Sequence, residues 1–95
     1  NRSVRDLDRV ADTLSQPEYR GKRFILIGFA DSTGAENINV LLSRSRALAV
    51  SEELKKRGLI AAQVEGMGSK RPVASNATQE GREKNRRVEI WIEGQ

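Results

Sequence analysis

Neither cysteine nor histidine occurs anywhere in these 95 residues. Without cysteine there are no disulfides and no thiolate metal sites; without histidine, the usual general base and the commonest metal ligand are gone. Most hydrolytic mechanisms lose their footing on those two counts. Aromatic residues are scarce too: Tyr19, Phe24, Phe29 and Trp91 are the whole set, so aliphatic side chains must fill the core. The longest apolar stretch, Phe24 to Ala30, is far short of the ~20 residues a membrane-spanning helix needs, and no targeting segment is present. The chain opens on Asn1-Arg2-Ser3 rather than methionine, as expected of an N-terminally truncated fragment of a longer protein.

What is present bounds one domain, residues 1–95. A chain of this length buries roughly 60 to 68 % of the surface its unfolded form exposes, which leaves little room for a second core. Net charge is +4, from 17 basic and 13 acidic residues, and the basic ones are spread along the chain. Nucleic-acid binding requires a concentrated basic face with interleaved aromatics. That pattern is missing, and no nucleic-acid partner is expected.

Val4, Leu7, Val10, Ala11 and Leu14 fall at three- and four-residue spacings, the mark of an amphipathic helix. Ser3 and Asp6 form a capping pair that starts it near Ser3, and Pro17 stops it. Arg23 to Gly28 reads as a strand apolar on both sides, hence inside a sheet with both faces at least partly covered. In the next helix Asn39, Leu42, Ser43, Arg46, Ala47, Val50 and Leu54 share one face, which is therefore apolar at its C-terminal half and polar at its N-terminal half. A competing stripe through Leu41 and Leu48 also carries Arg44, Ser45, Ser51 and Glu52. Gly58 supplies the left-handed stop. Val64, with Gln63 and Glu65, is a brief strand closed by Gly66-Met67-Gly68; Ser69 to Asn76 is loop; Thr78 to Asn85 makes one or two helical turns. The last strand alternates, with Val88, Ile90 and Ile92 inward and Glu89, Trp91 and Glu93 outward. The fold class is α+β, a two-layer sandwich with helices packed on one face of a small mixed β-sheet of three strands.

Asp31 stands just past an apolar strand, between Gly28 and Gly34. An aspartate in such a turn commonly bonds its own backbone. Arg46 shifts the balance, because a guanidinium on an inward stripe demands a partner. Either it pairs with Asp31 as a structural salt bridge, or both face a pocket and share a ligand; Asn39 and Ser43 add polar groups to the same surface. A fixed guanidinium offers two prongs to a carboxylate, and a nearby carboxylate attracts an ammonium. A ligand carrying both groups on one carbon, an amino acid or the amino-acid end of a longer side chain, matches the pair. Asp31-Ser32-Thr33-Gly34 is not the Asp-Thr-Gly of aspartic proteases, nor an Asp-x-Ser-x-Ser metal-dependent adhesion site, and neither a phosphate loop nor a nucleophile elbow occurs.

Gly28-Phe29-Ala30-Asp31-Ser32-Thr33-Gly34, Asn39, Leu42-Ser43-Arg44-Ser45-Arg46-Ala47, Val50, Leu54, Arg57-Gly58, Gly66-Met67-Gly68 with Pro72, and Asn85-Arg86-Arg87-Val88-Glu89-Ile90 together resemble the OmpA-like peptidoglycan-binding domain, the family of the OmpA, Pal and MotB C-terminal domains. The resemblance runs from about Phe24 to Ile92. It implies a periplasmic, non-catalytic module without cofactor or metal, which holds the wall peptide noncovalently through meso-diaminopimelate and anchors its parent envelope protein. It assigns Asp31 to the ammonium and Arg46 to the carboxylate of the side-chain end, places Asn39, Thr33 and Leu42 at the pocket wall, and adds Arg86. The alternative is a domain of the same fold serving as a protein-interaction module. Two departures stand out. Phe29-Ala30 replaces the family's more polar run before the aspartate, and the family's first strand is missing, which predicts an exposed edge that invites an edge-strand homodimer.

Overall fold

The computed structural model describes the backbone of residues 2–3 and all of residues 7–93. Seven elements follow one another: β1 (Arg2–Ser3), α1 (Leu7–Leu14), β2 (Phe24–Gly28), α2 (Glu36–Lys56), β3 (Gln63–Gly66), α3 (Gln79–Asn85) and β4 (Val88–Ile92). They build one mixed sheet in the order β1-β4-β2-β3. β2 and β3 run parallel, as the crossover through α2 requires. β4 returns antiparallel to β2, with Gly28 opposite Val88 and Phe24 opposite Ile92.

The three expected strands are all present, and a fourth is added. Arg2–Ser3 pair antiparallel with Ile90 and Glu89 of β4, so that edge carries a two-residue strand where a bare edge was anticipated. Two residues are too few for alternation to register in a sequence. Because Ser3 belongs to this strand, the first helix begins later than expected, at Leu7; Val4 and Asp6, the other members of the anticipated stripe and cap, lie outside the described residues.

The core forms on one face of the sheet only. Leu14 of α1 and Ala47 and Leu54 of α2 pack with Phe24, Leu26, Val88 and Ile90 of the strands, and Leu7, Val10, Ala11, Val50, Leu59, Val64 and Ile92 close around them. α2 lies unusually close to the sheet. A Cβ at Gly28 would stand 1.9 Å from the Ser43 carbonyl oxygen, and one at Gly66 would stand 2.5 Å from the Arg44 nitrogen; only glycine permits that approach. α2 ends as its sequence predicts: Gly58 has φ +82°, with the Leu59 N–H on the Leu54 carbonyl at 2.9 Å and the Gly58 N–H on that of Lys55 at 3.0 Å. These two bonds satisfy carbonyls the helix itself leaves open.

On the opposite face no helix among the described residues lies over the strands, and Ile25 and Ile27 are half-buried. Glu89, expected outward, does point to this face but is buried. Its carboxylate accepts from Arg87 Nε at 2.6 Å and from the Trp91 indole N–H at 3.1 Å, and those two side chains cover it.

Candidate functional site

Three connections meet at one end of the sheet: β2 to α2, β3 to α3, and α3 to β4. Backbone bonds continue the ladder into them. The Met67 N–H reaches Gly28, the Phe29 N–H reaches Arg87, and the Ala30 N–H reaches the Gly68 carbonyl, at 2.9, 2.7 and 2.8 Å. Ser43, fully buried under α2, donates to the Val40 carbonyl and accepts from the Gly68 N–H at 3.0 Å. Glu36, in the first turn of α2, accepts from both the N–H and the hydroxyl of Ser69. Those Ser69 donors hold its carboxyl below the ordinary carboxylate value against the opposing effect of burial, with a smaller contribution from Lys70.

Asp31 lies within this frame and is 6 % exposed. One carboxylate oxygen accepts the Thr33 N–H at 2.8 Å, the local turn that Asp in this setting favours. The other accepts from Arg86 Nη1 at 2.5 Å. Burial by itself pushes the Asp31 pKa up and is the largest single influence; the Thr33 donors and the Arg86 guanidinium together outweigh it and hold the carboxyl below 3.8.

The guanidinium on Asp31 thus belongs to Arg86, not Arg46. Arg46 is exposed on α2, and its side chain has no ion pair or hydrogen bond among the described residues. The row that α2 buries is Asn39, Ser43, Ala47 and Leu54; Leu42, half exposed, and Arg46 lie beside that row rather than in it. Arg46, expected inward and in need of a partner, instead lies in water, where a guanidinium needs no protein partner. Asn39 is 4 % exposed, and its Nδ2 is buried without a partner. Thr33 is exposed and contributes through the turn. Of the six residues singled out in the sequence, Asp31, Thr33 and Arg86 are joined by hydrogen bonds; no such bond ties Asn39, Leu42 or Arg46 to them.

Asn85, quoted in the sequence only as part of the Asn85-Arg86-Arg87-Val88 motif, has a structural role that the motif does not announce. Fully buried, it accepts the Val73 and Ala74 N–H groups on Oδ1 and donates from Nδ2 to the Ala74 carbonyl and Asn76 Oδ1, all within 2.8 to 3.0 Å. Asn76 Oδ1 also accepts the Ser32 N–H at 3.3 Å, linking the long loop to the Asp31 turn. The available signal was an amide residue standing immediately before Arg86-Arg87-Val88. No group of three or more acidic side chains that could hold a metal occurs among the described residues.

Comparison with known proteins gives a consistent picture. The model of the OmpA family matches residues 1–86. The peptidoglycan-binding protein ArfA of Mycobacterium tuberculosis is 48 % identical over 89 residues, which cover 90 % of this chain and 26 % of ArfA; the chain spans about a quarter of that relative's length. Among solved structures, the cell wall anchor of the type VI secretion system from Pseudomonas aeruginosa superposes with a TM-score of 0.70 at 35 % identity, covering 92 % of this chain and 66 % of that one. The C-terminal domain of Helicobacter pylori MotB gives 0.76 at 28 %, covering 94 % and 70 %.

Proposed function

The chain belongs to the OmpA family, and on that premise we propose that it is a non-catalytic periplasmic module that binds peptidoglycan noncovalently and anchors a parent envelope protein to the wall. Its ligand is the zwitterionic side-chain end of meso-diaminopimelate in the stem peptide. The observation that carries this reading is two buried polar groups on the segment from β2 into α2: the Asp31 carboxylate just past β2 and, in the first turn of α2, an Asn39 amide that lacks an acceptor among the described residues. An unmet buried donor costs free energy that a ligand oxygen recovers.

Asp31 takes the ammonium. Each of its oxygens already holds one donor, from Thr33 and Arg86, and a carboxylate has about four acceptor positions. Arg46, solvated and unpaired, takes the ligand carboxylate, with Asn39 Nδ2 as a further donor. Thr33 and Leu42 border the site, and Arg86 fixes Asp31. Calorimetry with a diaminopimelate-containing muropeptide tests the assignment. Arg46→Ala removes a charge-assisted contact to the ligand carboxylate and should weaken binding by about 1.5 to 3 kcal/mol; Asp31→Ala removes a contact to a carboxylate that Arg86 already compensates and should cost less, about 0.5 to 1.5 kcal/mol. Replacing diaminopimelate by lysine deletes the carboxylate and should weaken binding as much as Arg46→Ala. Unchanged affinity in both variants would sink the site.

One observation favours a second reading, a protein-interaction module. Ile38, Leu41, Leu42 and Leu48 of α2 are between 39 % and 63 % exposed, an aliphatic surface that a protein partner covers more readily than a zwitterion does. Pull-down on purified peptidoglycan separates the two: retention supports the first reading, and its absence leaves the second.

A further inference from the structure

Trp91 is the only tryptophan of the chain. It stands 44 % exposed on the sheet face that no helix among the described residues covers. A large aromatic left in water is commonly loose, and this one is not. Its indole N–H donates to Glu89 Oε1 at 3.1 Å, and Glu89 Oε2 is held by Arg87 Nε at 2.6 Å. Arg87 is fixed in turn, stacked 3.9 Å over the Phe29 ring and donating to the carbonyls of Asn85 and Arg71. The ring is therefore oriented by a chain of contacts that begins at Arg87, next in sequence to the Arg86 that holds Asp31.

The sheet register lays out what surrounds the ring. Trp91 lies opposite Ile25, and Ile25 opposite Gln63; in the next row Glu89 lies opposite Ile27, and Ile27 opposite Glu65. The surface is thus an indole and two half-buried isoleucines bordered by the exposed side chains of Gln63 and Glu65. A dry contact with a second copy would strand Glu65 without water, and an anionic lipid surface would be repelled by it. A sugar ring suits the mixture, since its C–H face stacks on an aromatic plane while its hydroxyls bond to amide and carboxylate groups at the edge.

We propose that Trp91, with Gln63 and Glu65, is a second subsite that binds the glycan of peptidoglycan, with Glu89 as the positioning residue for the indole. The proposal rests on the wall-binding reading above and adds a ligand class to it. Counting residues from Trp91 to Val88 along β4 and from Gly28 to Asp31 beyond β2 puts the two subsites at most roughly 20 Å apart at about 3.3 Å per residue. A glycan with a peptide branch reaches both, since an extended peptide advances about 3.5 Å per residue.

The test is titration of the intact chain with oligomers of N-acetylglucosamine, the uncharged sugar of the wall glycan, read by tryptophan fluorescence. A saturable shift and intensity change is expected in the native chain and equally in Asp31→Ala. Trp91→Ala should reduce retention on intact peptidoglycan about tenfold, Trp91→Phe should reduce it less, and Glu89→Gln should weaken the glycan response while leaving affinity for a sugar-free diaminopimelate-containing stem peptide unchanged. No saturable response to glycan overturns the subsite even where muropeptides bind. So does loss of the response in Asp31→Ala with the fold intact, which would leave one site and not two. A glycan response without binding of the sugar-free stem peptide keeps the subsite and removes the zwitterion assignment.

Discussion

Replacing Asn85 by alanine deletes four hydrogen bonds at once, to the Val73 and Ala74 N–H groups, the Ala74 carbonyl and Asn76 Oδ1. A typical intramolecular hydrogen bond contributes about 1 kcal/mol net, and a partner left unmet away from water costs about 1 to 3 kcal/mol. Val73 is exposed and Ala74 is half-buried, so water reaches part of the vacated space and the lower figure applies to most of the four. The expected loss is about 3 to 4 kcal/mol. For a domain of this size that lowers Tm by roughly 12 to 30 °C, at about 4 to 8 °C per kcal/mol. Urea denaturation followed by circular dichroism measures it directly, with an unchanged m-value expected because the surface exposed on unfolding is the same. Asn85→Asp is the informative companion: it keeps two acceptor oxygens but sets a carboxylate against the Ala74 carbonyl and Asn76 Oδ1, and it should be no more stable than the alanine variant. Hydrogen exchange should show the Val73 and Ala74 amides losing protection in Asn85→Ala. A loss of under about 1 kcal/mol with both amides still protected would refute the assignment of this side chain as the organiser of the loop.

Gly28→Ala places a methyl group 1.9 Å from the Ser43 carbonyl oxygen, a backbone atom that moves only if α2 moves; a destabilisation of about 3 kcal/mol is expected, at the top of the usual overpacking range, and urea midpoints indistinguishable from the native chain would show that α2 is not seated so closely. Asp31, with its folded pKa below 3.8, adds stability that is present above the unfolded value and is lost as pH falls through the folded one. The stability gap between the native chain and Asp31→Asn should therefore narrow as pH drops below 3.8, and a gap constant across that range contradicts the role given to Arg86.

Most of the fold was legible because hydrophobic periodicity survives in β2, α2 and β4, and because Gly58 and Thr78 stand where a helix stop and start require them. Thr78 indeed caps α3 by accepting the Gly81 N–H. The failures share a cause. β1 is two residues long, below the length at which any period exists. Glu89 obeys the alternation of its strand, yet what buries it is the pair of side chains two residues before and after it, and no face-by-face reading anticipates neighbours on the same face closing over a carboxylate. The phase of α2 was nearly right. An amphipathic stripe about 100° wide admits Leu42 and Arg46 beside Ser43 and Ala47, but with backbone against backbone at Gly28 and Gly66 only the central row fits beneath the helix, and the flanking residues are left in water.

That last point changes the electrostatics of the proposed site. A reading from spacing alone balances one acid, Asp31, against one base, Arg46. The partner of Asp31 is instead Arg86, 55 residues along the chain, brought there by an antiparallel register that sets Val88 opposite Gly28 and that no local pattern encodes. Asp31 is therefore already compensated before any ligand arrives, while among the described residues Arg46 meets only water and the buried Asn39 Nδ2 has no acceptor. On the zwitterion reading, the ligand's carboxylate meets the unmet end of the site and its ammonium meets a carboxylate shared with Arg86. Removing the carboxylate from the ligand should accordingly weaken binding more than neutralising its amine, the reverse of what the greater burial of Asp31 alone would suggest.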